Sequence, residues 1–312
     1  MSNTNIISDG KYWLCPIWYY FCDLEYVDLP EGVRIIRTPS KFEKYLEQHN
    51  SYILQTMVNQ SDWVVLIPYK MPPNMSATNA LFEKIFPKGE HEANVLSDLI
   101  TTLRLYKRGR VYVWGLTRAK FRNNNWSIED TSTWTPISSM EFVDEPSTYK
   151  FSKSDYPKIN DLFTMIRSWR KSNILDKLKM PIERFHSAYH GPIEDRIIDQ
   201  MIAFESLYLG NEQELTYRLA LRVAFLLRQR KDHRIIIFNN IKKAYNYRSR
   251  IVHGDNPPSR DELRAIIPNT EEYLRQSIRR FLSLSKRYSL AEIRKQLDEN
   301  VLRNGKLLAI RE

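Results

Sequence analysis

Three stretches of this chain place an arginine and a histidine four or five intervening residues apart: Arg184 with His190, Arg228 with His233, and Arg248 with His253. These two residue types can cleave RNA without a metal. Histidine, whose ordinary pKa lies near neutral, takes the proton of a ribose 2′-hydroxyl. That hydroxyl attacks the adjacent phosphorus, and arginine, planar and always charged, stabilises the charge that builds on the phosphoryl oxygens. The chain has 27 arginines and six histidines. With those numbers about one or two such pairs arise by chance, so spacing alone selects none. Arg184 and His190 lie before a Gly-Pro helix start, and Arg228 and His233 lie in the charged run RQRKDHR, which reads as a solvated connection.

Context favours the third pair, in YNYRSRIVHGD (residues 245–255). His253 closes an amphipathic run whose apolar residues Phe238, Ile241, Ala244, Tyr245, Ile251 and Val252 set its orientation, and Gly254 follows as a helix stop. At about 100° per residue, Ser249 and Arg250 share the face of His253 and can orient or charge the imidazole. Arg248 is about 140° round. It reaches the same phosphate through its long side chain, or across a cleft shared with a second copy. The competing reading is a histidine stabilised at a helix C-terminus by the dipole. Glu205 interrupts an apolar face in IIDQMIAFESLYL. A carboxylate there needs a partner: Arg218 or Arg222 on the next helix, or Arg248, which Glu205 would then position. Arg250, Arg222 and Arg218 are candidate RNA-phosphate contacts, whereas Tyr245 and Tyr247 read as core.

The elements that must hold these residues divide the chain in two. Residues 1–150 mix strand-like runs (KYWLCPIWYYF, GVRIIRT, DWVVLIPY, GRVYVWGL) with helical ones (SKFEKYLEQ with a Ser40/Glu43 capping box, NALFEKIF, ANVLSDLITTLRLY). The stretch FRNNNWSIEDTSTWTPISS is turn-rich and reads as a loop or hairpin, and a linker is expected at about 144–157. After Pro157 the strand signals stop and long helical periodicities follow to the C-terminus. Pro192 fits a first helical position, Gly210 and Gly254 fit helix ends, Ser259 and Glu262 form a capping box, and Pro268 should break or kink its helix. The expected fold class is therefore an α+β N-terminal domain (1–150) followed by an all-α antiparallel bundle of five or more helices (151–312).

Composition narrows the function. The net charge of +10 is one-sided: residues 1–150 hold 16 Lys+Arg against 17 Asp+Glu, and residues 151–312 hold 31 against 20. The basic excess of the helical part fits either a solvated surface or a polyanion such as nucleic acid. No phosphate-cradling glycine motif, zinc-ligand cluster or G-x-S-x-G elbow is present, so no cofactor or metal is expected. Two cysteines, an opening without a basic-then-apolar leader, and no long apolar run point to a reduced, cytoplasmic setting and no membrane span.

Three segments in order, AFESLYLG (203–210), ELTYRLALRVAFLL (214–227) and YNYRSRIVHGD (245–255), resemble the Apea-like branch of the HEPN superfamily. That branch carries an acidic E-(A/S)-L helix, an E-L-x-x-R-L-A helix and a Y-x-x-R-S-x-I-V-H-G helix end. The residue after the motif arginine is often Asn in the wider superfamily and here is Ser249. The resemblance implies an HEPN-like bundle that dimerises and sets two Arg-His motifs across one cleft, with Arg248 and His253 catalytic. It implies a metal-independent endoribonuclease acting on RNA, tRNA included, that leaves 2′,3′-cyclic phosphate and 5′-hydroxyl ends in toxin or anti-phage defence. Residues 1–150 would then be a sensor or accessory domain. Two alternatives carry no catalysis: an HEPN module that binds RNA, nucleotide or a partner protein, and a dimerisation bundle with incidental charge.

Overall fold

A computed structural model describes residues 7–38, 62–68, 91–113, 117–123, 125–130, 148–210, 215–228, 230–254 and 256–303. The expected helices at 40–48 and 79–86, with the Ser40/Glu43 box, lie outside the described residues. The chain divides into two compact units, one of residues 1–139 and 146–167, the other of 140–145 and 168–312.

The first unit is built on an antiparallel sheet. Its strands are β1 (Gly10–Trp18), β3 (Tyr26–Asp28), β4 (Arg34–Arg37), β5 (Trp63–Pro68), β6 (Tyr112–Val113), β7 (Thr117–Arg122) and β8 (Asn125–Asp130). They run in the order β3-β4-β5-β1-β7-β8, and β6 also pairs with β1. β1 sits centrally, with Cys15 opposite Val65 and Leu14 opposite Thr117. Alternation along the strands sends Cys15, Ile17, Ile35, Val65 and Ile67 to one face, where they pack with Val95, Leu99 and Leu103 of helix α1 (His91–Tyr106). Tyr19 takes a left-handed φ of 55° and ends β1. The chain then enters β2 (Tyr20–Cys22), which pairs in parallel with β9 (Tyr149–Phe151). Where it is described, over 121–123 and 125–130, the turn-rich stretch belongs to the β7–β8 hairpin, with Asn123 at φ 50° in its turn.

The expected linker at 144–157 is structured where it is described. Tyr149 and Phe151 are buried β9 residues, and helix α2 (Tyr156–Lys171) starts within it. Asp155 opens α2 by accepting hydrogen bonds from the backbone N–H and hydroxyl of Ser152. The first turns of α2 bury Ile159 and Phe163 in the sheet's core. Arg167 then bonds the fully buried Asp98 at 2.8 Å and Glu31 at 2.8 Å. These contacts, which no local periodicity announces, carry the boundary from residue 150 to 167.

The second unit is helical: α3 (Ile174–Lys177), α4 (Lys179–Ser187), α5 (Ile193–Tyr208), α6 (Leu215–Leu227), α7 (Lys231–His253), α8 (Arg260–Leu284) and α9 (Leu290–Leu302). Short connections join successive helices into a bundle around Phe185, Ile197, Met201, Phe204, Tyr208, Leu219, Val223, Ile241, Leu274 and Phe281. Pro192 caps α5 one residue earlier than expected, while Gly254 and the Ser259/Glu262 box stand where the sequence places them. Pro268 does not break its helix: α8 runs unbroken from Arg260 to Leu284. Leu263, Ile266, Ile267, Thr270 and Leu274 are buried on both sides of the proline. Their packing outweighs the one hydrogen bond a proline removes, at a cost of about 3 kcal/mol.

Candidate active site

Helix α7 buries Ile237, Ile241, Ala244 and Tyr247 at three- and four-residue intervals, which fixes its rotation in the bundle. It ends because Gly254 adopts a left-handed φ of 76° and Pro257 and Pro258 follow. The turn is tied on both sides. Arg250 Nε donates to the Asn256 carbonyl at 2.7 Å, and the Tyr247 hydroxyl donates to Glu262 Oε1 at 3.0 Å. Glu262 also accepts from the Ser259 backbone and side chain in the α8 capping box. The Ser259 and Tyr247 donors hold the Glu262 carboxyl below the usual range. His253, the last residue of α7, is thus exposed to solvent on a pinned helix end.

Arg248 points elsewhere, as its helical offset demands. Its guanidinium approaches Glu205 of α5, with Nη2 3.9 Å from Oε2, and lies 5.9 Å from the centre of the Tyr245 ring. Each side chain of the ion pair is 25% exposed. At 3.9 Å the pair is looser than a hydrogen bond, and Arg248 Nε is buried with no hydrogen-bond partner among the described residues. The Tyr245 phenol lies close enough to Glu205 to feel its charge. Burial and the Glu205 charge push its pKa above the ordinary value, against the opposing pull of Arg248. The group is therefore a carboxylate beside a phenol and a loosely held arginine whose Nε has no partner among the described residues. Such an arginine can take up a phosphoryl oxygen.

The arginines of the other two pairs are committed. Arg184 bonds Asp199 at 2.9 Å, and Arg228 donates to Gln276 Oε1 and the Leu227 carbonyl, each at 2.7 Å.

The remaining sequence candidates separate. Ser249 and Arg250 are half-buried near the end of α7, and Arg218 is half-buried on α6. Arg222, expected among the phosphate contacts or as the partner of Glu205, is 1% exposed and directs its guanidinium to other groups. It grips Asp298 of α9 at 2.8 and 2.7 Å and donates to the Tyr208 carbonyl. Arg294 donates to the carbonyls of Leu207 and Ser206 at 3.0 and 2.7 Å, so two arginines close the C-terminus of α5. Tyr245, read from the sequence as core, is half-buried beside Arg248. Its place three residues before Arg248, on the same side of the helix, is the signal for that contact.

Among the described residues no group of three or more His, Cys, Asp or Glu is arranged to hold a metal ion, and no helix is long and apolar enough to cross a membrane. Both cysteines are free and buried. No family model, curated protein or solved structure matches the chain.

Proposed function

We propose that the helical unit is an HEPN-type endoribonuclease that needs no metal and works as a dimer, with His253 as general base and Arg248 as the cation for the phosphoryl oxygens. The observation that carries this reading is the state of the three Arg-His pairs. Only the pair at the end of α7 joins a solvent-facing imidazole to an arginine with an open buried donor. The reaction balances within RNA. The 2′-hydroxyl loses its proton to His253, its oxygen bonds to phosphorus as the bond to the 5′-oxygen breaks, and the 5′-oxygen takes a proton from water while His253 releases its own, giving a 2′,3′-cyclic phosphate and a 5′-hydroxyl. Glu205 and Tyr245 position Arg248. The divergence of Arg248 and His253 on one helix suits a cleft made by two copies. Exposed Leu215, Tyr217, Ile235 and Ile236 offer an apolar surface for that pairing.

Incubation of RNA, tRNA included, with the protein in EDTA tests this. We expect cleavage that falls by at least about 100-fold in Arg248→Ala and in His253→Ala. Cleavage abolished by EDTA, or equal in all three proteins, would overturn it. The same biochemistry would act in toxin or anti-phage defence in the cytoplasm, with residues 1–150 sensing the trigger. The alternative, an HEPN module that binds without cutting, gains nothing from keeping both an exposed His253 and the Arg248–Glu205 pair near one helix end.

A further inference from the structure

From Asn239 to His253, α7 holds four cations, Lys242, Lys243, Arg248 and Arg250, and no carboxylate. Arg248 turns toward α5. The others do not. Asn239, Lys242, Lys243, Asn246 and His253 are exposed, and Arg250 is half-buried beside them. At 100° per residue, Asn239, Lys242, Asn246, Arg250 and His253 fall within an arc of about 80°, and 14 steps of 1.5 Å make a track about 21 Å long. An ordinary solvated helix face offsets such charges with carboxylates three or four residues away, because like charges repel. Here Lys242 and Lys243 make no ion pair among the described residues. Their ammonium groups lie 5.3 Å from the Phe238 ring and 5.4 Å from the Tyr247 ring, contacts that steady the side chains without neutralising them. Glu262 reaches only the far end of the stripe, facing Arg250.

We infer that this stripe is the docking track for single-stranded RNA, with Lys242, Lys243 and Arg250 holding phosphates of nucleotides on one side of the bond that His253 attends. The inference rests on the ribonuclease reading for the identity of the strand. Uncompensated cations at helical spacing, with asparagine amides between them, match a flexible polyanion whose bases and phosphates both need donors.

The test uses full-length His253→Ala protein, so that binding is read without cleavage, and a fluorescein-labelled single-stranded RNA. Lys242→Ala/Lys243→Ala should weaken binding at least about tenfold at 0.1 M salt. It should also lower the slope of log K against log salt by about 1.4, at about 0.7 per lost phosphate contact. The control, Lys295→Ala, removes an exposed cation on α9 and should change affinity less than about twofold. An unchanged salt slope in the double variant, or an equal loss in the control, would overturn the track. Lysine-dependent binding by a chain whose native form never cuts RNA would leave the track standing and end the ribonuclease reading instead.

Discussion

At the scale of single residues, Arg248 is held loosely, and its neighbours decide what it can do. The Glu205 pair, 3.9 Å apart and partly exposed, contributes under about 1 kcal/mol to folding. Glu205→Gln should therefore leave thermal stability close to native while RNA cleavage falls about tenfold, since the arginine loses the charge that aims it. A stability loss as large as the activity loss would make Glu205 a structural residue. Arg248→Lys keeps the charge and loses the planar fork, so it should recover little of what Arg248→Ala loses, as initial cleavage rates would show. The placement of His253 at a helix end and of Arg248 toward Glu205 was legible in the sequence, from the Gly254 stop and from the carboxylate that interrupts an apolar face. The surroundings of Tyr245 were not, because a tyrosine on a half-buried face reads as packing until the charges beside it are placed.

At the scale of elements, two helix ends depend on buried charge. Arg222 and Arg294 close the C-terminus of α5, the helix that carries Glu205. Removing Arg222, at 1% exposure, strands the Tyr208 carbonyl and empties a buried space, while Asp298, 49% exposed, turns to water. Arg222→Ala should cost about 3 kcal/mol in denaturant unfolding, with RNA affinity per folded molecule unchanged. Affinity lost without stability would return Arg222 to the phosphate contacts. At the start of α2, burial disfavours the charge on Asp155, but hydrogen bonds from Lys107, Ser152 and Tyr106 outweigh it and hold the carboxyl at about 2. The folded value lies below the unfolded one, so its stabilisation is full above about pH 4 and fades as the pH falls toward 2. Asp155→Asn should be less stable at pH 7 by about 1 kcal/mol and should lose that difference by pH 2 in paired melting curves. Helix starts and stops such as Gly254 and the Ser259/Glu262 box were legible because their chemistry is local. The unbroken passage of α8 through Pro268 and the start of α2 inside the expected linker were not, because long-range packing decides both.

At the scale of the whole molecule, the division into a sheet unit and a basic helical unit follows from where strand periodicity stops and where the positive charge collects. Its edge moves to residue 167 because Arg167 answers carboxylates at positions 31 and 98. Assembly belongs to this scale, and the exposed Tyr217 and Ile236 offer a handle on it. Tyr217→Glu/Ile236→Glu should convert a dimer to a monomer in sedimentation and remove cleavage with it. A monomer that still cuts RNA would show that one chain completes the site. The central claim is 2′-hydroxyl attack served by His253, and the chemistry of the product ends addresses it most directly. Cleavage in EDTA should yield fragments ending in 2′,3′-cyclic phosphate opposite 5′-hydroxyls, with none formed by His253→Ala. Fragments ending in 3′-hydroxyl, or cyclic ends formed equally well without His253, would contradict the account.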